Sequence, residues 1–125
     1  MAEAFYRQLG GSYLATSAGT LADDGGQASS SAIDVMDELS IDIRQQTSQR
    51  VTQPMIEAAD LVVLFPTTYS PPYLEDNPNT IKWYDADPYY SPSGDAREFM
   101  HRTRDNIRQQ VQALIDQQAS RSEVL

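Results

Sequence analysis

The stretch that most constrains the fold is LVVLF at residues 61–65, an unbroken apolar run between Asp60 and Pro66. A short apolar run bounded by a polar residue and a proline is typical of a strand that is buried on both faces. Strands of that kind belong to parallel sheets that carry helices on each side. The run therefore favours an α/β fold in which this strand lies inside a mostly parallel sheet.

Segments with helical periodicity alternate with shorter strand-like segments along the rest of the chain, which supports the same fold class. The last helix is the clearest, because one stripe recurs at a spacing of about one helical turn and consists of Phe99, Thr103, Ile107, Val111 and Leu114 or Ile115. We predict helices over residues 2–9, 30–39, 54–60 and 95–119, strands over residues 12–19, 61–65 and 80–86, and a loop rich in proline and tyrosine over residues 67–79.

The composition excludes several classes of function. A net charge of −9, with Lys82 as the only lysine, argues against nucleic-acid binding, which requires many cations. The absence of cysteine excludes disulfides, thiolate metal sites and a cysteine nucleophile within these 125 residues. No apolar run approaches the roughly 20 residues of a membrane span, and the first residues lack the pattern of a signal peptide. We therefore expect a cytoplasmic protein with no nucleic-acid or membrane partner.

Loops follow the three predicted strands, and the carboxyl ends of parallel strands share one edge of a sheet, where ligands bind. In DADPYY, Asp87 is held by a proline beside Tyr89 and Tyr90, which suits a general acid next to an aromatic substrate wall. The alternative is a turn whose tyrosines pack on the surface. In SAGT, Ser17 or Thr20 is a candidate donor to an anion, and the alternative is a strand corner that uses its glycine.

The remaining polar residues predict a protein surface. His101 has charged neighbours on the last predicted helix, so we expect it on a solvated face. The arginines of HRTRDNIR stand at helical spacing from acids, which predicts exposed ion pairs. Glu3, near the start of the first helix, suits the positive end of the helix dipole. The acidic pairs in the loops are ordinary loop residues, and no metal site is predicted.

Taken together, these segments resemble the low-molecular-weight protein tyrosine phosphatase superfamily, which includes the thioredoxin-coupled arsenate reductases. MAEAFYRQL is similar to the helix that follows the phosphate-binding loop of that family, and SAGT to the end of the next strand. AIDVMDELSIDIRQQTSQ is similar to the following helix and turn, and is closest to the reductase branch. EAADLVVLF, DADPYY and FMHRTRDNIRQQVQALI resemble the later helix–strand junction, the Asp-Pro loop and the final helix.

Order and spacing agree with the family over residues 1–116. The resemblance implies a three-layer α/β sandwich with a mostly parallel sheet flanked by helices. It assigns residues 1–119 to one phosphatase-like domain and leaves residues 120–125 as a flexible tail.

The resemblance also implies roles for individual residues. Asp87 matches the general acid that protonates the leaving oxygen, and Tyr89 and Tyr90 match the aromatic wall of the substrate site. Glu3 and Ser17 match positions that brace the phosphate loop. The implied ligands are a phosphate or arsenate oxyanion or a phosphotyrosine, and no cofactor or metal is implied.

The sequence departs from the family pattern at its start. In the family, a strand and a Cys-x5-Arg-Ser-Pro loop precede the first helix, and the loop holds the oxyanion that the thiolate attacks. Met1 falls just after that proline, so the resemblance implies that the first central strand and the nucleophile are missing. Gln45 stands where many phosphatases have a supporting histidine, and Ser40 replaces the glycine that usually ends the second helix.

Three hypotheses follow from this departure. In the first, the reading frame continues upstream into the Cys-x5-Arg loop, and an internal methionine was taken as the start. In the second, the chain is a natural non-catalytic binding or interaction module, and the gap of the missing strand predicts a homodimer. In the third, an unrelated α/β ligand-binding domain resembles the family by chance. Under the first two hypotheses, we expect no catalysis from the chain as given.

Overall fold

Helices and strands alternate in the computed structural model, which describes residues 1–20, 25–65, 70–83 and 96–124. The chain forms two compact units, of which unit 1 comprises Met1–Thr16, Ala28–Gln45 and Asp85–Leu125, and unit 2 comprises Ser17–Gln27 and Gln46–Tyr84. The elements in chain order are α1 (Ala2–Gln8), α2 (Ser30–Asp37), α3 (Gln53–Ala58), β1 (Val62–Leu64), α4 (Pro72–Glu75), β2 (Thr80–Lys82) and α5 (Ala96–Val124).

Unit 1 is built on the long helix α5, which both α1 and α2 contact. The middle of the predicted stripe of α5 is buried at Thr103, Ile107 and Val111. Its ends are only half-buried, at Phe99 and at Leu114 and Ile115. Burial of a large apolar side chain contributes about 1.5–3 kcal/mol to stability, so the core between these helices fixes how they pack. The most completely buried side chains are those of Phe5, Val35, Met36, Ile43 and Val111.

Helix α1 has no side-chain cap at its first turn, and it ends in a left-handed turn at Gly10, whose φ is 93°. The Gly11 N–H donates to the Tyr6 carbonyl at 2.7 Å, and the Gly10 N–H donates to the Arg7 carbonyl at 3.4 Å. This pair of bonds is a Schellman motif, which requires a residue that tolerates a positive φ. The turn also places Gly11 against the Tyr6 ring, where no space is left for a Cβ.

Helix α2 starts at a serine cap, in which the Ser29 Oγ accepts the Ala32 N–H at 3.2 Å. At its other end the Ile41 N–H donates to the Met36 carbonyl at 3.1 Å. Ser40 lies between Met36 and Ile41 and has a φ of 60°. The other described residues with a positive φ are glycines. Ser40 therefore occupies a left-handed position that glycine would adopt without steric cost.

Unit 2 contains two paired strands. Strands β1 and β2 run parallel, with Val62 beside Thr80, so the strand predicted over residues 61–65, the start of the strand predicted over residues 80–86 and the parallel arrangement are confirmed. Residues 84–86 of the second prediction lie outside the described residues. The side chains of Val62 and Leu64 are buried in a cluster with Ile56 of α3 and Leu74 of α4. Because α3 and α4 contact each other as well, this cluster holds the sheet and the two short helices together.

Burial of the first strand differs from the prediction on one of its two faces. Val63 lies between the buried residues Val62 and Leu64, points to the opposite face and is only half-buried. Leu61, two residues before Val63, is 39% exposed. The apolar run therefore predicted the strand correctly. It also predicted that both faces of the strand are buried, whereas only one face is buried in the structure.

The predicted strand over residues 12–19 is absent from the structure. Among the described residues its only bridge is at Gly19, whose N–H donates to the Gln49 carbonyl and whose carbonyl accepts the Val51 N–H. The Leu14 side chain is 93% exposed. Alternation of residue types produces a strand only where a neighbouring strand accepts the hydrogen bonds, and this segment has such a neighbour at one residue only.

Two element boundaries also differ from the sequence predictions. Residues 67–79 contain the short helix α4, because Pro72 supplies a favourable first residue and Leu74 is buried in the core of unit 2. Helix α5 continues to Val124, so the backbone of the predicted tail is helical beyond Ala119. The last residues, ASRSEV, contain no glycine or proline that would end the helix earlier.

The prediction of a solvated face for HRTRDNIR is wrong at Arg104, whereas the His101 side chain is 29% exposed. Arg104 is buried, and its Nη1 donates to the Val35 carbonyl at 2.9 Å and to Glu38 Oε2 at 3.0 Å. His101 Nε2 lies 2.6 Å from the same Glu38 oxygen. Both side chains lie where α5 meets the end of α2, and tertiary packing therefore overrides the local charge pattern. Arg102 does form the exposed ion pair that its spacing predicts.

We expect the substitution Ser40→Gly to stabilise the protein, because it relieves the cost of a left-handed conformation at a residue with a Cβ. The gain in the free energy of unfolding should be about 1 kcal/mol. Ser40→Ala is the matched control and should give no gain, because alanine meets the same steric conflict. Urea denaturation gives the free energy of unfolding of the parent chain and of the two variants. A glycine variant that is no more stable than the parent would contradict the prediction.

Candidate functional site

Glu3 is held in a fixed position on the first turn of α1. Its side chain is only 13% exposed, and its Oε1 accepts a hydrogen bond from Arg7 Nη2 at 3.0 Å. The same Arg7 nitrogen donates to the Ala15 carbonyl at 3.0 Å. Arg7 therefore joins the carboxylate to the segment that follows α1. Sequence reasoning identified Glu3 but missed Arg7, although their spacing of four residues is the signal for such a pair.

Ser17 lies in the segment between α1 and α2, in unit 2, where its side chain is exposed. Its carbonyl accepts a hydrogen bond from Gln49 Nε2 at 2.8 Å. Two residues later the chain pairs with residues 49–51 through Gly19. The backbone around Ser17 is thus fixed to its own unit. Glu3, the other predicted brace residue, belongs to unit 1.

Asp87, Tyr89 and Tyr90 lie outside the residues that the structure describes. Their predicted roles as general acid and aromatic wall therefore stay predictions. Gln45, where the family often has a histidine, is exposed at the edge of unit 1.

The carboxyl ends of β1 and β2 carry an aromatic pair that the sequence predictions did not include. Phe65 and Trp83 each stand one residue past their strand, and their ring centroids are 6.1 Å apart with an interplanar angle of 76°. The Trp83 N–H donates to the Leu64 carbonyl at 3.0 Å, which extends the ladder beyond β2. The position of these two residues could have identified them, because ligands of parallel sheets bind beyond the carboxyl ends of the strands.

An ion pair fixes α4 to β2 beside this edge. Lys82 Nζ lies 2.6 Å from Glu75 Oε2, and both side chains are partly exposed. The hydrogen bond from Lys82 holds the pKa of Glu75 below its ordinary value, against a smaller opposing effect of desolvation. The only lysine of the chain is therefore engaged in a structural contact within unit 2.

The surface of α2 carries an open cleft of about 550 Å³, lined by Ser31, Asp34, Val35, Asp37 and Glu38. The Arg44 guanidinium hydrogen-bonds to Asp37 and lowers the pKa of that carboxyl. Three of the described lining side chains are carboxylates, and their charge disfavours an oxyanion in this cleft. No three His, Asp or Glu side chains within the described parts of the chain are placed to hold a metal ion. None of the helices in those parts is long and apolar enough to cross a membrane.

Comparison with known proteins identifies the family. Residues 1–70 match the family described as low molecular weight phosphotyrosine protein phosphatase. The match covers more than half of the 125 residues, and the chain belongs to that family. The resemblance inferred from the sequence motifs is therefore confirmed. No protein of curated function matches the sequence.

Solved structures of the same superfamily are similar in fold. Vibrio vulnificus Wzb, solved in complex with benzylphosphonate, gives a TM-score of 0.73 at 19% identity, covering 93% of this chain and 87% of Wzb. The low molecular weight protein tyrosine phosphatase from T. tengcongensis gives 0.71 at 23% identity, covering 93% and 88%. An arsenate reductase in the reduced state gives 0.66 at 26% identity, covering 93% and 86%. These similarities confirm the predicted α/β fold.

We expect Glu75→Gln to reduce stability at neutral pH but not in acid. The pKa of Glu75 is lower in the folded chain than its ordinary value of 4.5, so the ionised carboxylate stabilises the fold above that pH. The contribution is lost as the pH falls through the lowered folded value. The difference in melting temperature between variant and parent should therefore be present at about pH 7 and should shrink progressively as the pH falls below 4.5.

Asp76→Asn is the matched control for this experiment, because it removes one negative charge from the same turn and leaves the contact with Lys82 intact. Its effect on the melting temperature should be smaller than that of Glu75→Gln. Equal effects of the two variants would show that net charge, rather than the ion pair, determines the difference.

Proposed function

We propose that these residues form the body of a phosphatase that hydrolyses phosphate esters through a cysteine nucleophile, and that the 125 residues alone do not catalyse the reaction. The observation that carries the proposal is the family match over residues 1–70 in a sequence that contains no cysteine. A phosphate monoester requires a nucleophile and a cradle of donors for the oxyanion. Both of these come from the Cys-x5-Arg loop in the family that the chain resembles.

The groups that remain can assist the reaction but cannot replace these two components. Asp87 is proposed as the general acid, and such an acid contributes roughly 10²–10⁴-fold to a rate. Tyr89 and Tyr90 are proposed as the aromatic wall, and Glu3 and Ser17 as braces of the phosphate loop. Support for the role of Glu3 comes from its low exposure and its hydrogen bond from Arg7, which keep the carboxylate in one orientation.

Phosphate-ester hydrolysis is favoured over arsenate reduction. Reductases of the superfamily resembled here pass electrons through additional cysteines, and the sequence has none. Hydrolysis needs no electron transfer, so it requires only one thiolate from the loop. The proposed substrate is an aryl phosphate such as phosphotyrosine, which agrees with the benzylphosphonate complex of the similar Wzb structure. We also propose a cytoplasmic location, where a catalytic thiol stays reduced.

The proposal is tested with p-nitrophenyl phosphate and two chains. The 125-residue chain should show no turnover above buffer. The same chain preceded by a strand and a Cys-x5-Arg-Ser-Pro loop from an active family member should hydrolyse the ester. In the extended chain, Asp87→Asn should lower kcat by roughly 10²–10⁴-fold, and replacing the loop cysteine by serine should abolish turnover.

Two results would overturn the proposal. The first is hydrolysis by the 125-residue chain itself. The second is an extended chain that folds, binds inorganic phosphate and still shows no turnover. Circular dichroism and a phosphate titration establish folding and binding before rates are compared.

A second candidate function is that of an interaction module that binds another copy of the chain. The Val62 N–H donates to the Asn79 carbonyl, and the Leu64 carbonyl accepts the Trp83 N–H, each at 3.0 Å. Alternate residues of a parallel strand point to opposite edges, so the N–H and carbonyl of Val63 point away from β2. No strand from the described residues pairs with that edge. A free edge is a template for another strand, which supports a homodimer.

Light scattering over a range of concentrations tests the second candidate. The parent chain should dimerise, and Val63→Pro should be monomeric, because proline removes the N–H on the outer edge and keeps the ladder to β2. Val63→Thr is the control, because it retains the N–H. A parent chain that is monomeric throughout and melts cooperatively would contradict this candidate.

A further inference from the structure

The geometry points to Phe65 and Trp83 as residues that determine specificity, by contacting the aromatic ring of an aryl phosphate at the carboxyl edge of the sheet. This inference rests on the proposed function, because it names the part of the protein that selects the organic group of the substrate.

The first argument is the position of the pair. Val62 pairs with Thr80 and Leu64 with Lys82 in the parallel ladder. One step further, the same register places Phe65 beside Trp83, past the end of both strands. Side chains of register partners in a parallel pair point to the same face. Ligands of α/β sheets bind beyond the carboxyl ends of the strands, which is where these two rings lie.

The second argument is the environment of the two rings. Val62 and Leu64 point to the buried face of the sheet, in the core with α3 and α4. Phe65 and Trp83 follow the alternation of Val63 and Ile81 on the other face, where Ile81 is 39% exposed. Both rings are themselves only half-buried. The two rings are therefore not part of the core of unit 2, and each retains exposed aromatic surface that a ligand can contact.

The third argument is the geometry of the pair. An interplanar angle of 76° at a centroid distance of 6.1 Å is an edge-to-face contact. In that arrangement the edge of one ring is directed at the face of the other, and the two ring planes form a corner. A third aromatic ring placed in the corner can contact one ring face-on and the other edge-on, which are the favoured geometries for aromatic groups. An alkyl or inorganic phosphate offers no such ring.

Trp83 is the only tryptophan of the chain, and its fluorescence therefore reports on this site alone. We propose to titrate the 125-residue chain with phenylphosphonate, methylphosphonate and inorganic phosphate. Phenylphosphonate should change the emission saturably in the millimolar range, and the other two should not. Phe65→Leu, which keeps an apolar side chain, should weaken the apparent affinity roughly five- to tenfold.

Tyr73→Leu is the matched control, because Tyr73 is an aromatic residue of the same unit that packs against the core cluster. It should leave the titration unchanged. Melting curves show whether each variant is folded before its titration is interpreted. The inference is overturned if phenylphosphonate leaves the emission unchanged, if methylphosphonate is equally effective, or if Phe65→Leu and Tyr73→Leu weaken binding equally.

This titration is independent of the test of hydrolysis. Turnover by the extended chain together with a flat titration would reject the aromatic pair and retain the phosphatase. Saturable binding of the phenyl ring, together with an extended chain that binds phosphate but does not hydrolyse the ester, would retain a ring site and reject the phosphatase.

Discussion

Burial along one side of α5 is the constraint on which the architecture of unit 1 depends. Helix α1 has seven residues and α2 has eight, and helices of that length are marginal in water on their own. Both helices contact the 29-residue α5, and each of them buries its apolar side chains in the resulting core. Loss of the stripe that contains Ile107 and Val111 would therefore remove the surface that makes the short helices stable.

The buried guanidinium of Arg104 fixes the position of α2 relative to α5. Arg104 is 9% exposed, and burial of a charge is costly unless partners replace its hydration. Its guanidinium donates to the Val35 carbonyl and to Glu38, and both acceptors belong to α2 or its C-terminal end. Apolar packing tolerates small shifts between helices, whereas hydrogen bonds to two defined acceptors do not. The end of α2 is thus held in register with α5, and the left-handed Ser40 follows two residues after Glu38.

A structural feature of this protein is predictable from the sequence when a local pattern of residues determines it. It is not predictable when it depends on a contact between residues that are far apart in the chain. The stripe of α5, the strand at residues 61–65 and the start of α2 follow from local patterns of apolar and capping residues, and these were predicted correctly. The burial of Arg104 depends on an acceptor 69 residues away in the chain, which no local pattern contains. The strand predicted at residues 12–19 fails for a related reason, because alternation cannot show whether a neighbouring strand is present.

The residues of the candidate site also divide into those that a local motif predicts and those that depend on contacts between distant segments. Glu3 and Ser17 are predicted as brace residues from family motifs, and these roles stay predictions. The pair of Phe65 and Trp83 depends instead on the register between two strands that are separated by α4. Their position bears on the choice between the two branches of the superfamily. A redox relay needs thiols that can exchange electrons, and the sequence contains none. In the proposed ring site, the two aromatic side chains would contact the organic group of a substrate rather than its oxyanion.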